Sequence, residues 1–290
     1  MKNIEKIDYC SLCESKHITI IDPEINMSKC LDCGHYFINP RPTIERIKKY
    51  YTETENFDYW QSLEQDFDAL SKRRVRVVKK YRQKGSLLDV GAGIGQFLFF
   101  AKNSFQTSGT EVSKIAIKTA KDKYKLNLLE GDLEEINFHN KKYDIITMFH
   151  VLEHVHNPGK QLKICRDLLN KDGIIVIAVP NDVKAFLKLP FKRLFRFLKI
   201  GRFKNYGRFG MEKIDLERSF GEIHLSQFTA HALTRFFKKN GFKVLSSSLD
   251  PYYVPNSTKN RAKFYLFQII QSISGKNLYD TILIVVEKLR

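Results

Sequence analysis

Acidic residues are missing from two long stretches of this chain, and their placement says more than the total charge. Residues 183–211 contain no aspartate or glutamate against nine bases, and residues 251–278 contain none against four. Those stretches hold thirteen of the formal +17 charges, so the rest of the 290-residue chain is only mildly basic. Membrane-length hydrophobic runs are missing too: "DGIIVIAVP" and "DTILIVVE" are strand-length, far short of the roughly 20 apolar residues of a span. The opening "MKNIEKIDYC" lacks the apolar core of a secretory signal, which predicts a cytoplasmic protein. There are only five cysteines, and four fall in two Cys-x-x-Cys pairs, which suits a metal site in a reducing compartment better than a disulfide framework. No internal repeat or low-complexity linker is present, and 43% hydrophobic residues suffice for one α/β core with a small accessory unit.

The paired cysteines are Cys10 with Cys13 and Cys30 with Cys33. Each short turn presents two thiolates to one ion, and the alternation in "HITIID" between them suits a β-hairpin that brings the pairs together as a four-cysteine zinc ribbon. Gly34, directly after the second pair, accepts the positive φ that such a turn favours. His17 and His35 lie nearby, but four cysteines already complete a tetrahedral set.

Beyond "NPRPT" the pattern turns helical, through "IERIKKYY" and a longer helix near residues 64–82. Strand and helix signals then alternate: "SLLDVG", a helix from Ile94, "TSGTEV", "SKIAIKTAKDKY", "LNLLEGD", "YDIITMFHV", a helix over 158–169 and "GIIVIAVP". A late helix "SQFTAHALTRFFKKNG" and the strands "FKVLSSSL" and "TILIVVEK" follow. Strands apolar on both faces, alternating with helices, predict a doubly wound, mostly parallel sheet covered on both sides. The first βα turn is "LLDVGAGIGQF", and it lacks two things. No Gly-Lys-Ser/Thr follows, which excludes a P-loop, and Gln96 stands where a dinucleotide fingerprint needs its third glycine.

Asp89 followed by Gly91, Gly93 and Gly95 resembles motif I of class I S-adenosylmethionine-dependent methyltransferases. Further positions agree in order along the chain: Glu111 in "GTEVS", Asp132 in "EGDLEEI", and "YDIITMFHVLEHVHNP" before "DGIIVIAVPN". The resemblance implies a Rossmann-like sheet of seven strands. It implies S-adenosylmethionine held by Asp89, Gly91, Ala92, Gly93, Gly95, Glu111, Val112, Asp132, Leu133 and His150. In it, Glu111 accepts the ribose hydroxyls, Asp132 contacts the adenine amino group with Leu133 beside the ring, and Asp89 steadies the loop and the methionine ammonium.

The cysteine domain, "NPRP", "HVLEHVHNP" and "HLSQFT" together are similar to bacterial methyltransferases of sugar and surface-glycan pathways, including deoxysugar C-methyltransferases with an N-terminal zinc domain. That resemblance implies acid/base and substrate-binding roles for His154, Glu222 and His224. Phe220 stands where those enzymes carry tyrosine, and Ile223 separates Glu222 from His224, so O-methylation of a sugar hydroxyl is expected at least as much as C-methylation. Histidine is the natural base near neutral pH, and His150, His154 and His156 all fall at the end of the fourth strand. "HVLEH" is also similar to an E-x-x-E-H element that binds a divalent metal in quinone-pathway O-methyltransferases, with His150 at its first position.

The two acid-free segments mix bases with aromatic and aliphatic residues, as in "AFLKLPFKRLFRFLKIGRF" and "KFYLFQIIQSI". That composition describes a helix lying in a membrane interface and predicts peripheral contact with an anionic inner leaflet, with a lipid-linked glycan as acceptor. A substrate lid is the alternative. A zinc ribbon with strong basic charge also suits an RNA methyltransferase, but the fourth strand lacks the N-P-P-Y or D-P-P-Y turn of amino-methylating enzymes. A non-enzymatic zinc-ribbon interaction protein is a further alternative. The expected organisation is a zinc ribbon over 1–40, a helical cap over 41–84 and a methyltransferase domain over 85–290, with basic-apolar insertions at 181–223 and 250–278.

Overall fold

A computed structural model of the chain describes residues 3–53, 64–181, 183, 188–201, 206–207, 211, 224–250 and 258–289. Glu222, Phe220 and much of the first basic segment lie outside the described residues. The N-terminal part contains β1 (Ile4–Glu5), β2 (Ile18–Asp22), β3 (Met27–Cys30), β4 (Tyr36–Ile38) and β5 (Arg41–Pro42), then α1 (Ile44–Glu53). After α2 (Glu64–Lys79) the order is β6 (Ser86–Val90), α3 (Gln96–Ala101), β7 (Gln106–Glu111), α4 (Lys114–Tyr124), β8 (Leu129–Glu130), β9 (Tyr143–Phe149), α5 (Pro158–Leu168) and β10 (Leu169–Pro180). The last elements are α6 (Lys188–Phe197), β11 (Ser226–Gln227), α7 (Ala230–Lys239), β12 (Phe242–Ser248), α8 (Thr258–Ser274) and β13 (Thr281–Lys288).

Seven strands form one sheet in the order β12-β13-β10-β9-β6-β7-β8. β13 runs antiparallel to both neighbours, and the pairs from β10 through β8 are parallel, as the sequence predicts. The period of two along each strand divides the core. Leu88, Ile146, Ile175, Ile177 and Ile284 face the layer that holds α5, α7 and the cysteine unit. Their neighbours Leu87, Ile145, Ile174, Val176 and Leu283 face α2 and α3. Both faces are therefore dry, which accounts for the continuous apolar runs of β9, β10 and β13.

The predicted hairpin between the cysteine pairs is β2–β3, with β4 pairing on β3. The fourth strand of that small sheet is β11, from far later in the chain: Ser226 pairs with Phe37 and Gln227 with Tyr36. The sequence pattern places Ser226 and Gln227 in a helix; instead Thr229 caps α7 by accepting from the Ala232 N–H, and the residues before it are extended. Other contacts fasten the same unit. Arg41 Nη1 donates to the His156 carbonyl (2.5 Å), the Gly159 N–H donates to the Ser11 carbonyl (3.1 Å), and His35 stacks on Phe228.

Gly159 shows how close the approach is: a Cβ there would sit 2.2 Å from the Leu12 carbonyl oxygen. Gly159→Ala is expected to cost about 1–3 kcal/mol, because neither backbone has a flexible end to move. Thermal unfolding beside the wild type checks it; an unchanged melting temperature would contradict the tight contact.

Candidate active site

Each candidate group stands at or just beyond the carboxyl end of a parallel strand, where an open α/β sheet collects its ligands. At the end of β6, Gly91, Gly93 and Gly95 all have positive φ, at +66°, +55° and +82°. Gly91 and Gly95 are also packed: a Cβ would lie 2.5 Å from Val151 Cγ2 at the first and 2.7 Å from Leu126 Cδ1 at the second. Gly93, at the crest between them, has nothing within 4 Å of its Cβ position, so the loop presents open backbone there. Glu111, at the end of β7, is buried and binds this crest: Oε2 accepts from the Gly93 N–H (2.7 Å), and Oε1 from those of Val112 (2.8 Å) and Ser113 (2.9 Å). Asp132 follows β8, joined to Glu111 through the Gly131 N–H on the Glu111 carbonyl (2.9 Å). Its Oδ1 accepts from the Glu134 N–H (2.7 Å), and burial raises its carboxyl pKa; Leu133 beside it is buried.

Asp89 is enclosed within the sheet. Thr147 Oγ1 of β9 donates to its Oδ1 (2.6 Å), and burial pushes its pKa up to about 7 against the opposing effects of Thr147 and Arg74. An open glycine crest, two acids at successive strand ends and a third buried acid form a donor and acceptor set that fits an adenosyl group with a cationic methionine end.

The turn after β9 gathers the histidines. His150 has left-handed backbone (φ +58°), an uncommon conformation for a residue with a side chain, and its N–H donates to the Ala178 carbonyl (2.8 Å). Its ring lies between two carboxylates, with Nε2 3.3 Å from Asp250 Oδ2 and Nδ1 3.3 Å from Glu153 Oε1. Burial lowers the His150 pKa, but the two carboxylates outweigh it and leave it raised. Glu153 is 1% exposed, and neither of its oxygens has an aligned hydrogen-bond donor among the described residues. Burial raises the Glu153 pKa, yet His150, His154 and His224 together hold it below the ordinary value.

His154 and His224 meet edge to face with ring centroids 4.8 Å apart, and each offers a ring nitrogen within 4.8 Å of a Glu153 oxygen and of the other. The cysteine unit fixes this meeting. The Ser226 N–H donates to the Glu153 carbonyl (3.0 Å), and the Ile38 N–H to the Leu225 carbonyl (2.9 Å), so β11 holds His224 over the histidine turn.

Sequence reasoning missed two members of this network. Asp250, fully buried after β12, accepts from Arg74 Nη2 of α2 (2.7 Å) while touching His150. Burial alone would raise its pKa, but Arg74 and His150 hold it at about 2. Arg74 shares a buried face of α2 with Leu70 and Val78 and lies over the Phe149 ring, 4.3 Å from its centroid. The readable signal was an arginine on an apolar stripe at spacing four, and a lone acid bordering an acid-free segment.

At the other end of the chain the four thiols lie within 4.8 Å of one another, with Cys10 Sγ 3.7 Å from Cys33 Sγ and Cys13 Sγ 3.6 Å from Cys30 Sγ. Zinc–sulfur bonds of about 2.3 Å in a tetrahedron separate the sulfurs by about 3.8 Å, so the donor set fits that ion.

The sequence profile of a methyltransferase domain matches residues 62–247, well over half of the chain. The chain belongs to that family. A ubiquinone biosynthesis O-methyltransferase of Coxiella burnetii is 31% identical over 108 residues, covering 35% of this methyltransferase and 46% of the relative. An uncharacterized protein of Methanocaldococcus jannaschii is 26% identical over 125 residues, covering 43% and 58%. The methyltransferase thus spans about half the length of the curated relatives it matches. Among solved structures, the plantazolicin methyltransferase BpumL in complex with SAH shares the fold at a TM-score of 0.53 and 15% identity, over 84% of this chain and 94% of that one. Residues 62–247 form a class I S-adenosylmethionine-dependent methyltransferase domain.

The buried ion pair supplies a test. Arg74→Ala takes the permanent cation from buried Asp250, leaving it facing His150, and is expected to destabilise the fold by about 3–5 kcal/mol, whereas Arg74→Met with Asp250→Leu should cost far less. Asp250 is depressed below its unfolded value, so its contribution is complete above about pH 4 and lost as pH falls through about 2. Denaturant melts of the single and double variants check this; a double variant as unstable as the single one would contradict it.

Proposed function

We propose that this methyltransferase methylates a hydroxyl, or an acidic carbon, of a sugar or glycan, with a histidine of the 154/224 pair taking the acceptor's proton. The observation that carries the reading is the cluster of buried Glu153 with half-buried His154 and His224, two of them on a turn whose Val151 packs against Gly91 of the glycine loop. An acceptor seated between loop and cluster exposes one atom to the methyl donor and its proton to an imidazole.

Gly91, Ala92, Gly93 and Gly95 would cradle the cofactor's methionine end, with Asp89 towards its ammonium. Glu111, with Val112, would accept the ribose hydroxyls, and Asp132 with Leu133 would border the adenine. Bound there, S-adenosylmethionine supplies a methyl group made electrophilic by its sulfonium. As the acceptor oxygen loses its proton, the imidazole becomes a cation, and the Glu153 carboxylate, already surrounded by imidazoles, stabilises it. His150 holds Glu153 from the other side. Cys10, Cys13, Cys30 and Cys33 would hold a structural zinc that keeps β4, and through it β11 and His224, in place.

Support for the sugar comes from the sequence: the cysteine unit, "HVLEHVHNP" and "HLSQFT" occur together in the glycan-pathway enzymes this chain resembles. A second reading has an observation of its own, since Glu153, His154 and His224 together form a three-donor set for a divalent ion. Such an ion would orient an acceptor with adjacent oxygens, and the likeness of "HVLEH" to a metal-binding E-x-x-E-H element supports it.

Calorimetric titration with S-adenosylhomocysteine tests the cofactor site. Glu111→Ala is expected to weaken binding by about ten- to a hundredfold. Affinity should also fall as pH drops from about 8 to about 6, because Asp89 is then protonated and cannot face the ammonium; Asp89→Asn should flatten that profile. A wild-type profile without slope would remove Asp89 from the site.

For the acceptor, His154→Ala or His224→Ala should lower transfer to a nucleotide-linked sugar by about 10²–10⁴-fold with cofactor affinity unchanged. Elemental analysis separates the two readings of the cluster. One zinc per chain, lost with Cys13→Ser and retained in His224→Ala, supports proton transfer; a second divalent ion lost in His224→Ala supports the metal reading.

A further inference from the structure

Two helices of this protein turn their apolar stripes outward. On α6, Phe191, Leu194, Phe197 and Leu198 are exposed, Phe197 at 82%. The inward side of the same helix carries charge: Arg196 pairs with Glu24 (2.7 Å), and Lys192 lies over the Tyr206 ring. On α8, Phe264 and Phe267 are buried against Leu249 and Tyr279, which anchors the helix to the domain. Its opposite face exposes Tyr265, Leu266, Ile269 and Ile273, the last at 83%. An amphipathic helix on a soluble surface buries its apolar stripe and shows its charges, whereas α6 shows its apolar stripe and α8 shows a second apolar face beside the one it buries.

Both are rooted at one end of the sheet. α8 connects the carboxyl end of β12 to the start of β13, where Thr281 pairs with Pro180. The chain leading to α6 leaves β10 at buried Asn181, whose side-chain amide donates to the carbonyls of Asn277 (3.2 Å) and Tyr279 (2.8 Å) just after α8. That end also carries the glycine loop and the histidine turn. No helix among the described residues is long and apolar enough to cross a membrane.

Charge selects what covers these faces. The segments that contain α6 and α8 have thirteen bases and no acid. A second copy docking the same faces would bring like charges together, whereas a bilayer with anionic headgroups matches both the stripe and the bases. We propose that α6 and α8 seat the enzyme on an anionic lipid bilayer, with the mouth of the site facing it, so that the acceptor sugar is taken from a lipid carrier. The identity of that acceptor rests on the sugar reading above; the docking does not.

Flotation with vesicles of phosphatidylcholine, alone or mixed with phosphatidylglycerol, tests it. The enzyme is expected to float with the mixed vesicles and not with the neutral ones. Phe191→Ser with Leu194→Ser, and separately Ile269→Ser with Ile273→Ser, should each lower the bound fraction about tenfold. These side chains are exposed, so the variants should keep wild-type melting and wild-type affinity for S-adenosylhomocysteine. Absence of binding to mixed vesicles, or equal binding by the variants, overturns the docking. So does a dimer that dissociates in the variants, which would assign the faces to a second copy. Cofactor binding is read on the same samples, so a wild-type protein that binds S-adenosylhomocysteine but not the mixed vesicles overturns the docking and leaves the cofactor site standing.

Discussion

The backbone pairing of Ser226 and Gln227 with Phe37 and Tyr36 is the constraint on which the candidate site depends. Through it a strand that follows His224 becomes the outer member of the cysteine unit's sheet. The Ser226 N–H also donates to the Glu153 carbonyl, so the same short strand touches the histidine turn directly. The cysteine unit is packed into the main core, with Cys10, Cys30 and Phe37 in one cluster with Leu162 and Phe228. A ribbon that looks detachable in the sequence is a wall of the site in the fold.

Buried charge forms a second organising principle. Arg74, Asp250, His150 and Glu153 alternate in sign from α2 to the histidine turn, each within ion-pair distance of the next. Enclosed charges of this kind stabilise little on balance and are costly to break. Their effect is to make one arrangement of the His150 ring much better than its alternatives, and that ring bears on Glu153. The left-handed backbone of His150 is held by the same contacts and by its N–H bond to β10.

The sheet was legible because its information is local. β6, β9, β10 and β13 announce themselves as short apolar runs, and Gly91 to Gly95 specify a turn that few other residues can make. Glu111 and Asp132 were found because strand ends can be counted. β11 was hidden: two polar residues directly before a strongly helical pattern carry no strand signal, and their partner lies across more than half of the chain. Asp250 and Arg74 were hidden for the same reason, since each reads as ordinary until the other is seen beside it. The outward stripes of α6 and α8 show in sequence only as periodicity; which side faces the protein is a fact of packing.

The late arrival of β11 also has a consequence for biosynthesis. The four cysteines leave the ribosome well before β11, so the sheet they support stays one strand short until residue 227 has been made. Closing a loop of that length costs conformational entropy before any contact repays it, so the pairing of β4 with β11 is a late step. During synthesis the cysteine unit exposes the open edge of β4 until a strand from beyond β6 to β10 of the main sheet arrives to cover it.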